Sequence, residues 1–275
     1  MLYDRLIVMT ALVLFLGCIG QAQPPDQLVT KNAMEAPSIG ISDATLFDQF
    51  MVTVEGVGRN SRLVQEQQNL KPYMMPVRSL GVRGHDWSYA LAGCLEYYVN
   101  LKRNYKDNLS PDYINLSLQS LGKRTTIEEG LRFLVANGTV SAAIIPYDAV
   151  QIPPAVYATQ KYSINNFLHV FANFASEREK VFEVRKALMR GNPVIVQFQA
   201  DSSFPQLGFT RTWEPRGQAD QQYTLIVVGY DENQQAFELK SAWGNDWANN
   251  GYLWVEYADF ARAASNGYVM IPLNY

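Results

Sequence analysis

Two cysteines and two histidines are all that 275 residues provide, so thiol, imidazole and metal chemistry have few carriers. A single thiol beside the N-terminal one leaves no disulfide framework within the body of the chain. Charge is also scarce: 23 Lys and Arg stand against 26 Asp and Glu, a net of -3, with no basic run. A mildly acidic surface excludes a nucleic-acid binder that works by neutralising phosphates. There are no internal repeats, and no apolar run reaches the length a membrane span needs, which excludes solenoids and multi-span membrane proteins. What is present is apolar and aromatic: 48% hydrophobic residues, with 16 Tyr, 13 Phe and 5 Trp. That content excludes disorder for most of the chain and suffices for one large domain or two lobes.

The first 22 residues read as a signal peptide. Arg5 supplies a positive flank, Leu6–Ile19 is apolar but too short to span, and Gly20-Gln21-Ala22 offers small residues for cleavage. The expectation is export, to the periplasm or outside the cell. Leu16-Gly17-Cys18 also resembles the box before a lipidated cysteine, so membrane attachment is expected only if Cys18 carries lipid. Cys94 falls inside the apolar stretch Trp87–Tyr98 and reads as a small buried core residue.

Residues 23–70 read as an N-terminal extension before the body of the chain. Apolar spacing predicts a well-buried helix over 87–101. Ser110 followed by Pro111 predicts the start of a second helix, and Thr126 to Asn137-Gly138 a third. A fourth over 181–190 ends at Gly191-Asn192-Pro193. Strands are expected at 194–199, 223–230, 236–241 and 251–257, separated by turn residues such as Asp231-Glu232-Asn233. Helices first and strands afterwards imply an α+β fold with two lobes and a cleft between them.

Six tracts in order resemble the papain-like cysteine peptidases, in the bacterial form that lacks disulfides. They are Gly81-Val-Arg-Gly84-His-Asp-Trp-Ser-Tyr-Ala90, Leu109-Ser110-Pro111-Asp-Tyr-Ile114, and Gly130–Leu134 through Asn137-Gly138 to Ile145-Pro146-Tyr147. The others are Gly191-Asn-Pro-Val-Ile-Val196, Val228-Gly229-Tyr230-Asp231, and Lys240-Ser-Ala-Trp-Gly-Asn-Asp-Trp247 with Asn250-Gly-Tyr-Leu-Trp254. The resemblance implies a papain-like two-lobe domain over 71–273. Its N-terminal helical lobe would be about 71–155, and its antiparallel β-barrel-like lobe about 156–273, with a cleft between.

The resemblance also locates a site, and there the sequence departs from the family. The nucleophile position, just before Trp87, holds Asp86; the histidine position, six before Gly229, holds Tyr223. The orienting-asparagine position, two before Trp243, holds Ser241, and the oxyanion-glutamine position, just before Gly81, holds Leu80. A carboxylate of pKa about 4 is a poor nucleophile towards an amide, and a phenol of pKa about 10 does not shuttle protons near neutrality. Loss of an oxyanion donor alone costs roughly 100- to 1000-fold in rate. The expectation is an inactive peptidase homologue, no catalytic residue, that binds a peptide or protein or serves as a scaffold. Asp86 is expected to cap its helix and to accept a hydrogen bond from the Tyr223 hydroxyl. The alternative is a hydrolase rewired around Asp86 with His85 or Tyr223. His85, Trp87, Trp243 and Trp247 are the cleft candidates; His169 is expected half-buried in the β lobe. No third ligand with metal spacing accompanies the histidines, and no cofactor is implied.

Overall fold

A computed structural model describes residues 38–57 and 61–273; the leader reading over 1–22, with Cys18, lies outside them. The helices are α1 Ala44–Phe50, α2 Ser61–Glu66, α3 Asp86–Arg103, α4 Pro111–Ser120, α5 Ile127–Ala136, α6 Glu177–Met189 and α7 Tyr257–Ala263. The strands are β1 Gln67–Asn69, β2 Ile164–Phe171, β3 Val194–Ala200, β4 Gln221–Asp231, β5 Ala236–Lys240, β6 Tyr252–Glu256 and β7 Ala264–Pro272. This is the expected α+β order, with α3 to α5 preceding most of the sheet. No helix among the described residues is long and apolar enough to cross a membrane.

The helix boundaries follow local chemistry. Ser110 caps α4 by accepting from the Tyr113 N–H at 3.1 Å, with Pro111 in the first turn. Thr126 and Ser176 do the same for α5 and α6 through Glu129 and Glu179. α6 therefore begins at 177 rather than 181. Fourteen residues of α3, from Trp87 to Asn100, are buried, because α4 and α5 pack on one side and β3, β4 and β7 on another. Gly130 makes the α3–α5 approach feasible: a Cβ there would come within 2.5 Å of the Leu91 side chain and 2.7 Å of the Trp87 ring.

The sheet is antiparallel, in the order β2-β7-β3-β4-β5-β6, with β1 added on β4 through Gln67↔Asp231 to Asn69↔Gly229. It does not close, so the β lobe is an open, strongly paired sheet rather than a barrel. Part of the segment read as an extension is built into this body. Ile41 bridges to Leu168, Phe47 of α1 is buried, and Leu70, fully buried, donates its N–H to the Val228 carbonyl at 2.7 Å.

Candidate active-site region

The register places Ile195, Gln197, Thr224, Ile226, Asn266, Tyr268, His169 and Lys240 on one face of the sheet. α3 lies across that face with its N-terminus at Thr224. His85 is the N-cap and Asp86 the first helical residue. One Asp86 oxygen accepts from the Trp87 N–H at 2.6 Å, a donor left free by the start of the helix. The other accepts from the backbone N–H of Thr224 at 2.8 Å, on β4. Asp86 thus ties the first turn of the helix to the sheet. Burial raises its carboxyl above the ordinary value, against the two N–H groups and the nearby His85, which lower it.

The other degenerate positions are equally occupied. Tyr223 does not donate to Asp86. Its hydroxyl meets the Asp201 carbonyl at 3.2 Å, because its ring packs against Phe204 and, edge-on at 5.5 Å, against Trp243. The hydrogen bond expected between Tyr223 and Asp86 is therefore replaced by two backbone partners. Desolvation, followed by Asp201, Asp220 and Asp86, raises the Tyr223 phenol, which keeps it protonated. The Ser241 hydroxyl donates to the Gly251 carbonyl at 3.2 Å and accepts from the Trp243 N–H at 3.3 Å, closing a turn. Leu80 contributes its backbone N–H to the Ala242 carbonyl at 2.8 Å and brings no polar side chain.

Of the cleft candidates, Trp87 and Trp247 are buried in the core, and the Trp247 indole N–H is held by the Phe204 carbonyl at 2.7 Å. Trp243 is half-buried at the edge of an aromatic cluster around Phe204. His85 is exposed, its ring stacked on Trp87 with centroids 6.2 Å apart. His169 is half-buried as expected, and Cys94 is buried with its thiol raised by desolvation. No cluster of three or more His, Cys, Asp or Glu that could hold a metal occurs among the described residues.

The space beside Asp86 is a cavity of about 10 Å³, lined by Arg78, Tyr89, Thr224, Ile226, Lys240 and Ser241 among others. That volume admits about one water. Beneath it lies a buried ionic group that the family comparison did not single out. Glu96, fully buried in the middle of α3, accepts from the Arg78 guanidinium and from the Leu109 N–H at 2.6 Å. Arg78 also reaches the Tyr147 hydroxyl and the Leu109 carbonyl. Burial pushes Glu96 up, against Arg78. It also pushes Lys240, on the adjacent strand, down to about 8, against the attraction of Glu96. Glu96 inside an otherwise apolar helix was the sequence signal for this group.

Residues 65–270 match the family model described as papain family cysteine protease. Procathepsin L of Rattus norvegicus is 25% identical over 215 residues, which cover 71% of this chain and 62% of the relative. Viral cathepsin of Adoxophyes honmai nucleopolyhedrovirus is 25% identical over 66% of this chain and 54% of its own length. The chain therefore spans less than two thirds of either. Among solved structures, xylellain, a cysteine protease from Xylella fastidiosa, aligns with a TM-score of 0.62 at 17% identity, covering 82% of this chain and 93% of its own. A Carica candamarcensis cysteine protease aligns at 0.61 and 17% identity, covering 75% of this chain and 98% of that one. With three quarters of its length under the family model and the same fold beneath it, the chain belongs to the papain family of cysteine proteases.

Proposed function

We propose that this is an exported, catalytically inactive member of the family that works by binding a peptide or protein segment. One observation carries the reading: both oxygens of Asp86, at the nucleophile position, are taken by backbone N–H groups of Trp87 and Thr224. One lone pair on each oxygen is thereby engaged by backbone, which ties the carboxylate between helix and strand, and the adjoining space holds about one water rather than a substrate. The half-buried phenol of Tyr223, bonded to the Asp201 carbonyl, and the engaged hydroxyl of Ser241 supply neither a base nor an orienting amide. Peptide is the ligand class because the family acts on peptide bonds, and its fold is retained here. Export rests on the leader-like composition of residues 1–22, and a lipid on Cys18 would make the exported form membrane-bound.

The rewired-hydrolase reading draws on one feature, the raised Asp86 carboxyl, since perturbed groups gather at active sites. It is the weaker reading. The His85 ring stacks on Trp87, and Tyr223 spends its proton on the Asp201 carbonyl.

The test is fluorescence anisotropy of the full chain against a library of labelled peptides, with each peptide recovered and weighed afterwards. Saturable binding of peptides that come back intact is the expected result. Cleaved peptides, or no saturation by any member, would contradict it.

A further inference from the structure

We infer that the sheet face left open beside Asp86 is a specificity shelf for a peptide side chain ending in a carboxamide, that of Gln or Asn. The inference rests on the peptide-binding reading above and names the residue class that site takes.

The face changes character where α3 stops covering it. Ile195 and Ile226, opposite each other under the helix, are buried. Two residues further along β3, at Gln197, the same face turns polar and half-open, and it continues through Asn266 and His169, with Gln199 and Gln222 exposed beyond. Gln197 is paired with Thr224, whose N–H holds Asp86, so this polar strip adjoins the candidate site. Apolar residues here would have extended the core, so three joined polar side chains are the informative choice.

These side chains are fixed before any ligand arrives. His169 Nε2 lies 3.0 Å from Asn266 Oδ1, and Asn266 Nδ2 donates to Gln197 Oε1 at 2.8 Å. The His169 ring is stacked on Tyr268 with centroids 4.7 Å apart, and the Tyr268 hydroxyl donates to Glu128, in the first turn of α5, at 3.0 Å. Because Asn266 presents its oxygen, His169 Nε2 is the donor, and the chain of bonds runs one way towards Gln197. Gln197 then keeps both Nε2 hydrogens and one Oε1 lone pair, with no further partner among the described residues. A donor and an acceptor on one planar amide are matched by another amide: the ligand carbonyl accepts from Nε2 while its NH₂ donates to Oε1. An apolar side chain would desolvate both atoms without replacing their bonds. A carboxylate would lack the donor, and Gln197, Asn266 and His169 include no fixed cation to attract one. Preorganisation lowers the ordering cost of the pairing.

The test uses the full chain and one peptide that binds in the library, remade with Gln, Asn, Leu or Glu at each position in turn. At one position, Gln or Asn is expected to bind about tenfold tighter than Leu or Glu. Gln197→Val is expected to erase that preference, weakening the Gln and Asn peptides and tightening the Leu peptide, whose side chain no longer desolvates an amide. Gln197→Asn is expected to restore part of it, and unchanged melting temperatures would show that both variants fold. Binding without such a preference, or a preference that survives Gln197→Val, would overturn this inference and leave the peptide-binding reading standing. Binding of no peptide at all would overturn both. Binding of N-acetylglucosamine oligomers, lost in Gln197→Val, would overturn the choice of occupant and make the shelf a glycan reader.

Discussion

A carboxylate between two backbone N–H groups from different elements acts as a clasp, and its energetics are open to measurement. Asp86→Ala removes the acceptor for Trp87 and Thr224, and leaving buried donors unpaired costs about 1–3 kcal/mol in chemical denaturation. The pH dependence has a definite sign. Burial raises the Asp86 carboxyl in the folded chain above its ordinary 3.8, so in the window just above that value the unfolded chain gives up its proton first. Stability carried by Asp86 is therefore full below that value and is lost as pH rises through the folded one. Relative to wild type, Asp86→Asn should gain stability as pH climbs from acid to neutral, as denaturant melts across that range would record. Lys240 runs the opposite way along the scale. Its ammonium is held at about 8 rather than 10.5, so wild-type stability should rise between those values as the unfolded chain alone keeps the proton. Lys240→Met should flatten that rise, on the order of 3 kcal/mol, and leave Glu96 with Arg78 as its partner.

At the level of elements, close approach governs what can be changed. Alanine ordinarily improves a helix interior over glycine by about 1 kcal/mol. At Gly130 the added methyl meets Leu91, which is fully buried, and the Trp87 ring. Overpacking of this kind costs about 1–3 kcal/mol, so Gly130→Ala should lower the melting temperature despite its better propensity. Helices α4 and α5 were legible in the sequence because their ends carry distinctive residues: the Ser110 and Thr126 side chains cap their starts, and Gly138, at φ +71, follows the end of α5. Two strands were not, the edge strand β2 and its neighbour β7. β2 carries Asn165, Asn166 and His169 and is interrupted by two register shifts, which erase the alternation of an ordinary strand. β7 follows α7 directly and opens with Ala264, Ser265, Asn266 and Gly267, residues that resemble a loop. β1 is three residues long and exists only because β4 offers an edge beside Gly229. The residues at the four positions that the resemblance assigns to the family's site could be read from identity alone, whereas the partner of Asp86 was hidden. A backbone N–H belongs to every residue, and only the fold brings that of Thr224 to the helix.

Across the whole molecule, the α+β frame of the papain family is retained, and the space beside Asp86 admits about one water. The helices and the sheet meet through Asp86 and Thr224 at the start of α3 and through Arg78, Glu96 and Lys240 beneath. On the proposed reading, ligand contact falls to the half-open strip of Gln197, Asn266 and His169 rather than to chemistry at one atom. Restoring chemistry should therefore take more than one residue. Asp86→Cys alone should show no peptide turnover, since Tyr223, Ser241 and Leu80 still provide neither base, orienter nor oxyanion donor. Acquisition of turnover by that single variant would mean that the surrounding groups retain more catalytic capacity than their geometry indicates.

The central claim is that Asp86 holds structure and performs no reaction. Its most direct test is turnover of a peptide library by the purified full chain beside Asp86→Ala, followed by mass spectrometry. The account predicts no cleavage by either protein. Cleavage by the wild type that disappears in Asp86→Ala would contradict it and make Asp86 a catalytic residue.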